Sequence, residues 1–196
     1  TGPFCGTFFV GYIDKVVPYC GGSYAVKREW SLVDWCNSGN IIEYTQIINV
    51  EDNVPPVVVC PEYFEAPSDF GDCGAQVHLT LPEAYDACGS EPLTYILKLN
   101  GQVVLPTNGE YILPDLQIGE YEISWEVRDD CENLTVCTST MYLYDSTPPT
   151  AYCDAHTVIS INNQDPMGVA LLPATTLDDG SFDNCGPVTF RARRMT

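Results

Sequence analysis

The chain has 196 residues, and its hydrophobic fraction of 45% is typical of a protein that folds around an apolar core. Eight Lys and Arg residues against 27 Asp and Glu residues give a formal net charge of −19. Such a surface repels nucleic-acid phosphates and anionic lipid, so we expect no nucleic-acid partner. No apolar run approaches the ~20 residues that cross a bilayer, so we expect no membrane-spanning segment.

Ten cysteines are scattered along the chain, and no two of them form a Cys-x-x-Cys motif. The two histidines, His78 and His156, are too far apart in sequence for a His-x3–5-His zinc motif. Scattered cysteines in an acidic chain are typical of disulfides formed in an oxidising compartment. We therefore expect an extracellular or cell-surface protein.

Internal repeats organise the chain. The segments 51–60 and 144–153 share an Asp, a Pro-Pro pair and a Cys at an offset of 93 residues. The blocks before these linkers match at an offset of 95, with Trp30 and Cys36 parallel to Trp125 and Cys131. The blocks after them, 81–89 and 172–186, share Leu-Pro and Asp-x-Cys-Gly. The repeat is therefore a module of about 93–98 residues.

The modules are out of phase with the chain. Residues 51–144 contain all three blocks and form one complete module, whereas 1–50 hold only the end of a module and 145–196 only its beginning. The two partial segments together have 102 residues, close to one module. Half a sandwich that exposes its core is not stable alone. We therefore expect each half-module to be completed by a neighbouring copy of the chain, head to tail.

The complete module has the pattern of strands. Residues 120–127 alternate apolar and polar side chains, as do residues 76–81. Strands at 95–99 and 102–105 flank Asn100-Gly101, a pair that favours a two-residue type I′ turn. A last strand spans 134–143. About seven strands in one module predict an all-β fold of tandem immunoglobulin-like sandwiches.

The motifs resemble the hyalin-repeat, or HYR-like, modules of large secreted and surface proteins. The matching residues are Asp-x-x-Pro-Pro with a Cys four residues later, then Pro-x-Ala-x-Asp-x-Cys-Gly at 82–89, then Trp-x-Val-x-Asp-x-Cys at 125–131. The stretch 178–186 is similar to the bacterial form. The resemblance implies an extracellular, Ig-like, adhesive or architectural module and no enzymatic activity.

The Ig-like fold suggests disulfide pairs. Because the loops that carry Cys88 and Cys131 lie at one pole of such a sandwich, we expect these two cysteines to pair. By repeat equivalence, Cys185 should pair with Cys36 of the next copy. The remaining expected pairs are Cys60 with Cys137 in neighbouring strands, Cys73 with Cys153, and Cys5 with Cys20.

The acidic loops admit two interpretations. Asp52, Asp86, Asp129 and Asp130 lie beside one junction in a pattern similar to the interdomain calcium clusters of cadherin-type arrays. A second junction offers Asp145, Asp178, Asp179 and Asp183, with Asp34 supplied by a neighbour. The alternative is a solvated acidic surface with no bound cation. Calcium is therefore the one cofactor that the sequence suggests.

Two positions match glycan-attachment motifs. Asn133-Leu-Thr is an N-glycosylation sequon, and Asp145-Ser146-Thr resembles the motif at which some bacteria O-glycosylate secreted proteins. We therefore consider covalent glycans at Asn133 and Ser146.

The function that these features favour is a structural subunit of an extracellular bacterial fibre or long surface adhesin. Its partners would be copies of itself, and no nucleophile–base pair, phosphate loop or catalytic metal signature is present in the sequence. The alternative is a carbohydrate- or protein-binding adhesion module. Trp30 and Trp125 alternate with polar residues and are expected to lie in a core.

Overall fold

The computed structural model describes residues 8–34, 41–88, 92–161 and 170–193. These residues form twelve strands and a short 3-10 helix at Ala174–Leu177. The strands are β1 (Phe8–Pro18), β2 (Tyr24–Asp34), β3 (Ile41–Val50), β4 (Val57–Val59), β5 (Tyr63–Pro67), β6 (Gly74–Leu79), β7 (Glu83–Tyr85), β8 (Thr94–Leu99), β9 (Gln102–Val104), β10 (Tyr111–Gln117), β11 (Gly119–Arg128) and β12 (Leu134–Tyr144). Among the described residues, no helix is long and apolar enough to cross a membrane.

The chain divides into two compact units. Unit 1 comprises Thr1–Glu62, Thr80–Leu105 and Ile123–Ser139. Unit 2 comprises Tyr63–Leu79, Pro106–Glu122 and Thr140–Thr196.

Unit 1 begins with a three-stranded antiparallel meander in the order β1-β2-β3. Its strands are rich in β-branched and aromatic residues, which favour extended backbone. The β1–β2 turn has Gly21 at a φ of 52°, a conformation that glycine adopts without steric cost. Hydrogen bonds from Tyr19 N to Ser23 O (2.9 Å) and from Ser23 N to Cys20 O (2.8 Å) close this turn.

The rest of unit 1 belongs to the complete module. β11 pairs antiparallel with β8, with Trp125 opposite Leu97. Both side chains are buried, and Trp125 is only 5% exposed. The β8–β9 hairpin turns at Asn100 (φ 47°) and Gly101 (φ 78°), both in the left-handed region. This is the backbone of the type I′ turn predicted for this pair of residues.

Unit 2 contains the parallel pair β5–β12, with Thr140 opposite Tyr63 and Leu143 opposite Ala66. It also contains the antiparallel pair β6–β10, whose register shifts between Leu113 and Leu116. Its buried apolar side chains are Ala66, Ala75, Val77, Leu113, Leu116, Met141 and Leu143.

The strand order is that of an immunoglobulin-like fold. Five strands bond in the order β5-β12-β11-β8-β9, and β6-β10 and β4-β7 form two further pairs. Short hairpins are combined with pairs between strands that are distant in sequence, as in Greek-key sandwiches. The expected all-β, Ig-like, disulfide-bonded fold class is therefore confirmed.

Among the described residues, three disulfides join segments that are distant in sequence. Cys20 bonds to Cys131, Cys60 to Cys137 and Cys73 to Cys185, with Cα–Cα distances of 5.1, 6.2 and 5.1 Å. These distances lie within the usual range for disulfides. Among the described cysteines, Cys88 and Cys153 are free and exposed.

Most of the cysteine pairing inferred from the sequence needs correction. The bond Cys60–Cys137 is the pair expected from neighbouring strands. Cys131, however, bonds to Cys20 in place of Cys88, which also removes Cys20 from the expected pair with Cys5. The reason is the tight β1–β2 turn. Gly21 N donates a hydrogen bond to Asp130, and this contact places the adjacent Cys20 beside the loop of Cys131.

The other correction concerns the second junction. Cys185 bonds to Cys73 of the same chain, so Cys73 does not pair with Cys153 and Cys185 is not available to Cys36 of another copy. The contact is local to unit 2, where the Asn184 carbonyl lies 2.8 Å from Cys73 Sγ. Cys5 and Cys36 lie outside the described residues.

Candidate assembly interface and acidic clusters

One face of the β1-β2-β3 sheet carries a row of aromatic side chains. Tyr12 pairs with Trp30 across β1 and β2, and Trp30 pairs with Tyr44 across β2 and β3. Residues opposite each other in an antiparallel pair share a face, so the three rings lie side by side. The Tyr12 and Trp30 ring centroids are 5.1 Å apart. We call this surface the Trp30 face.

The Trp30 face is largely apolar and exposed. Tyr12 and Tyr44 are 54% and 67% exposed, and Trp30 is half-buried. The strand alternation places further apolar side chains on the same face, namely Phe8, Val10, Val16, Val26, Leu32, Ile42, Ile48 and Val50. An exposed, largely apolar surface of this kind marks an interaction site.

The opposite face of the sheet carries charged pairs. Glu29 lies 2.8 Å from Lys27 Nζ and 3.1 Å from Lys15 Nζ. Hydrogen bonds from Lys27 and Lys15 lower the pKa of Glu29. This face also carries the exposed apolar side chains of Phe9 and Ile13, but the aromatic row lies on the Trp30 face.

An ion pair interrupts the Trp30 face. Arg28 donates two hydrogen bonds of 2.8 Å to the carboxylate of Asp14, and its guanidinium lies 4.1 Å from the centre of the Tyr12 ring. The hydrogen bonds from Arg28 lower the pKa of Asp14. This pair was not predicted from the sequence. Its signal in the sequence is the separation of 14 residues between opposite charges, which the β1–β2 turn places opposite each other.

Two of the four residues proposed for calcium come together in unit 1. Carboxylate oxygens of Asp52 and Asp86 and the sulfur of Cys88 lie within 4.8 Å of one another. Asp52 Oδ2 is buried and accepts no hydrogen bond among the described residues, whereas Oδ1 accepts one from Val54 N at 3.0 Å. Desolvation and then the charge of Asp52 raise the pKa of Cys88.

The other two residues proposed for calcium, Asp129 and Asp130, accept hydrogen bonds from nearby loops. Asp129 is buried, and its carboxylate accepts hydrogen bonds from Cys131 N (2.9 Å), Asn133 N (2.8 Å) and Asn133 Nδ2 (2.8 Å). Asp130 accepts the hydrogen bond of Gly21 N. Since Ca²⁺ takes six to eight oxygen ligands, Asp52 and Asp86 by themselves offer only part of a calcium site.

The second acidic cluster lies in unit 2. Oxygens of Asp145 and Asp183 lie within 4.8 Å of Cys185 Sγ, but this sulfur belongs to a disulfide and is no thiolate ligand. The carboxylate of Asp178 accepts a hydrogen bond from Ser181 N at 2.8 Å, and hydrogen bonds from Ser181 lower its pKa. The Asp179 backbone bonds to Tyr152 O at 3.0 Å.

The two glycosylation candidates differ in accessibility. Asn133 is half-buried, and its Nδ2 donates hydrogen bonds to Asp52 O (3.1 Å) and Asp129 Oδ2 (2.8 Å). A glycan on Nδ2 requires both bonds to break. Ser146 is exposed, and its hydroxyl donates one hydrogen bond of 3.1 Å to Ser68 O.

No protein-family model and no curated protein matches the sequence. Fibronectin(III)-like modules of Clostridium thermocellum CbhA are 19% identical, with 64% of each chain covered and a TM-score of 0.34. Cadherin-like domains 1 to 4 of zebrafish RET are 9% identical, with 80% of this chain and 44% of that chain covered and a TM-score of 0.29. The human desmocollin-1 ectodomain is 12% identical, with coverages of 81% and 37% and a TM-score of 0.30. The chain thus spans less than two thirds of the length of each of these structures.

Proposed function

We propose that the chain is a structural subunit of an extracellular bacterial fibre or long surface adhesin, in which copies assemble head to tail. The Trp30 face is the observation that carries this proposal. Trp125, which occupies the equivalent position of the complete module, is buried, whereas Trp30 lies on an exposed sheet. Burying an exposed Val, Ile or Phe side chain contributes about 1.5–3 kcal/mol, so this face favours association strongly.

In this proposal, the segment 145–196 of a second copy covers the Trp30 face. It contains the beginning of a module and therefore what the segment 1–50 lacks. Its described part forms two isolated bridges, Thr150 with Phe182 and Cys153 with Asp178, and a short 3-10 helix. Residues 149–153 and 188–193 line an open cavity of about 390 Å³, together with Ala174, Leu177, Asp178 and Ser181.

An extracellular location is supported by the three disulfides, because such bonds persist in oxidising compartments. The resemblance to HYR-like modules agrees with a bacterial surface protein. In this proposal the chain carries out no catalysis and acts by self-association.

The test is the assembly state of the full chain. We expect electron microscopy to show filaments with a module-scale axial repeat, and a reduced denaturing gel to show a band near the chain mass of 21.6 kDa. Material that stays at the top of the reduced gel would instead indicate one covalent chain of tandem modules. A chain that stays monomeric at all concentrations would contradict the proposal.

A matched pair of variants locates the interface. Trp30→Ala removes the central ring of the Trp30 face and should abolish filaments. Phe70→Ala removes an equally apolar side chain, 94% exposed in a loop of the complete module, and should leave filaments intact. Loss of filaments in both variants would show that general surface hydrophobicity drives association.

The second candidate is a carbohydrate-binding module, favoured by the row of Tyr12, Trp30 and Tyr44. Aromatic rings side by side on a sheet can stack on sugar rings. Glycan-array binding by the monomeric chain, lost in Trp30→Ala, would support this function over assembly.

A further inference from the structure

The complete module shows how the edge of its last strand is covered. In β12, residues 140–144 pair with β5, residues 63–67, in a parallel register that sets Thr140 opposite Tyr63 and Leu143 opposite Ala66. The strand β5 follows the Pro-Pro linker of its own module. The edge of β12 is thus closed by a segment from the beginning of the module.

Among the described strands, none pairs with the equivalent edge of β3. The offset of 93 residues that relates the two linkers places residues 140–144 at 47–51, the end of β3 and the residue after it. Within the described sheet, β3 bonds only to β2. Its outer edge presents backbone donors and acceptors that can pair with another strand.

The same offset identifies the missing strand. It relates residues 63–67 to residues 156–160, which follow the second Pro-Pro linker. These residues are described but form no strand, and Val158 and Ile159 are 94% and 47% exposed. The residues that the repeat places beside the edge of β3 are therefore rich in β-branched side chains but do not belong to a sheet in the described structure.

We infer that residues 156–160 of a second copy add to β3 as a parallel strand, with Ile47 opposite His156 and Val50 opposite Ile159. The inference rests on the proposed function and names the segment and register through which copies join. Backbone hydrogen bonds along the edge would supply affinity, and alternate side chains would supply specificity.

The burial pattern of β5 fixes which side chains face inward. In β5, Ala66 is buried and Glu65 is exposed. The equivalent of Ala66 is Ile159, and the equivalent of Glu65 is Val158. Ile159 should therefore enter the core with the Trp30 face, while Val158 should face solvent.

Two adjacent substitutions test this orientation. Ile159→Asp places a charge in the core, and we expect roughly 100-fold weaker association by sedimentation. Val158→Asp places the same charge on the outer face, and we expect a much smaller change. Equal losses in the two variants would overturn the proposed orientation.

The register is tested on filaments of the full chain. We expect hydrogen exchange of residues 46–50 and 156–160 to slow when copies assemble. A photoreactive benzoylphenylalanine in place of Asn49, which lies on the face opposite Trp30, should cross-link to residues 157–159 of another copy.

The outcomes separate the two proposals. Filaments without exchange protection at residues 156–160, or with cross-links elsewhere, would overturn the strand register while leaving the proposed function in place. A chain that forms no filaments and no oligomers would overturn the proposed function itself.

Discussion

Asp14 and Arg28 join β1 to β2 through two hydrogen bonds of 2.8 Å on the aromatic side of the sheet. Because Arg28 holds the pKa of Asp14 below its ordinary value of 3.8, this carboxylate is charged and paired across the whole neutral range. The ion pair therefore stabilises the sheet above pH 3.8. Its contribution is lost as the pH falls through the lowered pKa of Asp14.

The first prediction concerns this titration. We expect the Asp14 carboxyl carbon to titrate by NMR below the ordinary value, and Arg28→Met to move its midpoint upward. Asp178, whose pKa is lowered by hydrogen bonds from Ser181 in unit 2, serves as the control carboxylate whose midpoint should not change on Arg28→Met. If the Asp14 midpoint is the same in the Arg28→Met variant as in the wild-type chain, the ion pair is absent in solution.

The second prediction concerns the disulfide between Cys60 and Cys137, which are 77 residues apart in sequence. Replacing both cysteines with serine should lower the free energy of unfolding by about 2–4 kcal/mol, since the bond restricts the unfolded chain. Urea unfolding measures this change. Cys153→Ser, at an exposed free cysteine, should change stability by less than about 0.5 kcal/mol.

The third prediction concerns Gly22. A Cβ at this position would lie 2.5 Å from the carbonyl oxygen of Cys88, closer than real contacts allow. Gly22→Ala should therefore displace the turn and destabilise the chain by about 1–3 kcal/mol. Gly109→Ala tests instead a glycine with open space but a φ of 85°, where only backbone strain acts. A Gly22→Ala variant of wild-type stability would disprove the close approach.

The fourth prediction concerns the thiol of Cys88. Because desolvation and Asp52 raise its pKa, a smaller fraction of Cys88 is thiolate at pH 8 than in a free cysteine peptide. We expect alkylation to be several-fold slower than in the peptide, as measured by mass spectrometry of the modified fragment. Asp52→Asn should speed the reaction, whereas Asp115→Asn, outside this cluster, should leave it unchanged.

The fifth prediction concerns calcium binding by Asp52 and Asp86. Asp52 and Asp86 repel each other at close range, and a divalent cation would relieve this repulsion. Millimolar Ca²⁺ should therefore raise the unfolding temperature of the wild-type chain. Asp52→Asn should raise it without calcium and abolish the further effect of calcium. No response of the wild-type chain to calcium or to a chelator would favour the solvated acidic surface.

Local chemistry made much of the fold predictable. The alternation in 120–127 predicted a strand that buries Trp125, because a side-chain period of two places one set of residues on the core face. Asn100-Gly101 predicted its turn because these residues tolerate positive φ. The repeat offset, read from the sequence, also related Trp30 to its buried counterpart.

The tertiary structure decided which residues that are distant in sequence contact each other. Cys131 could be assigned to Cys88 or Cys20 only once the β1–β2 turn had brought Cys20 to its loop, since disulfides require Cα atoms within about 7 Å. Asp129 looked like a calcium ligand in sequence, but its oxygens are taken by the Asn133 turn. Sequence alone determined local structure, such as the strand at 120–127 and the turn at Asn100-Gly101, because it depends on neighbouring residues. The tertiary structure decided which distant side chains contact each other, because that depends on where every strand lies.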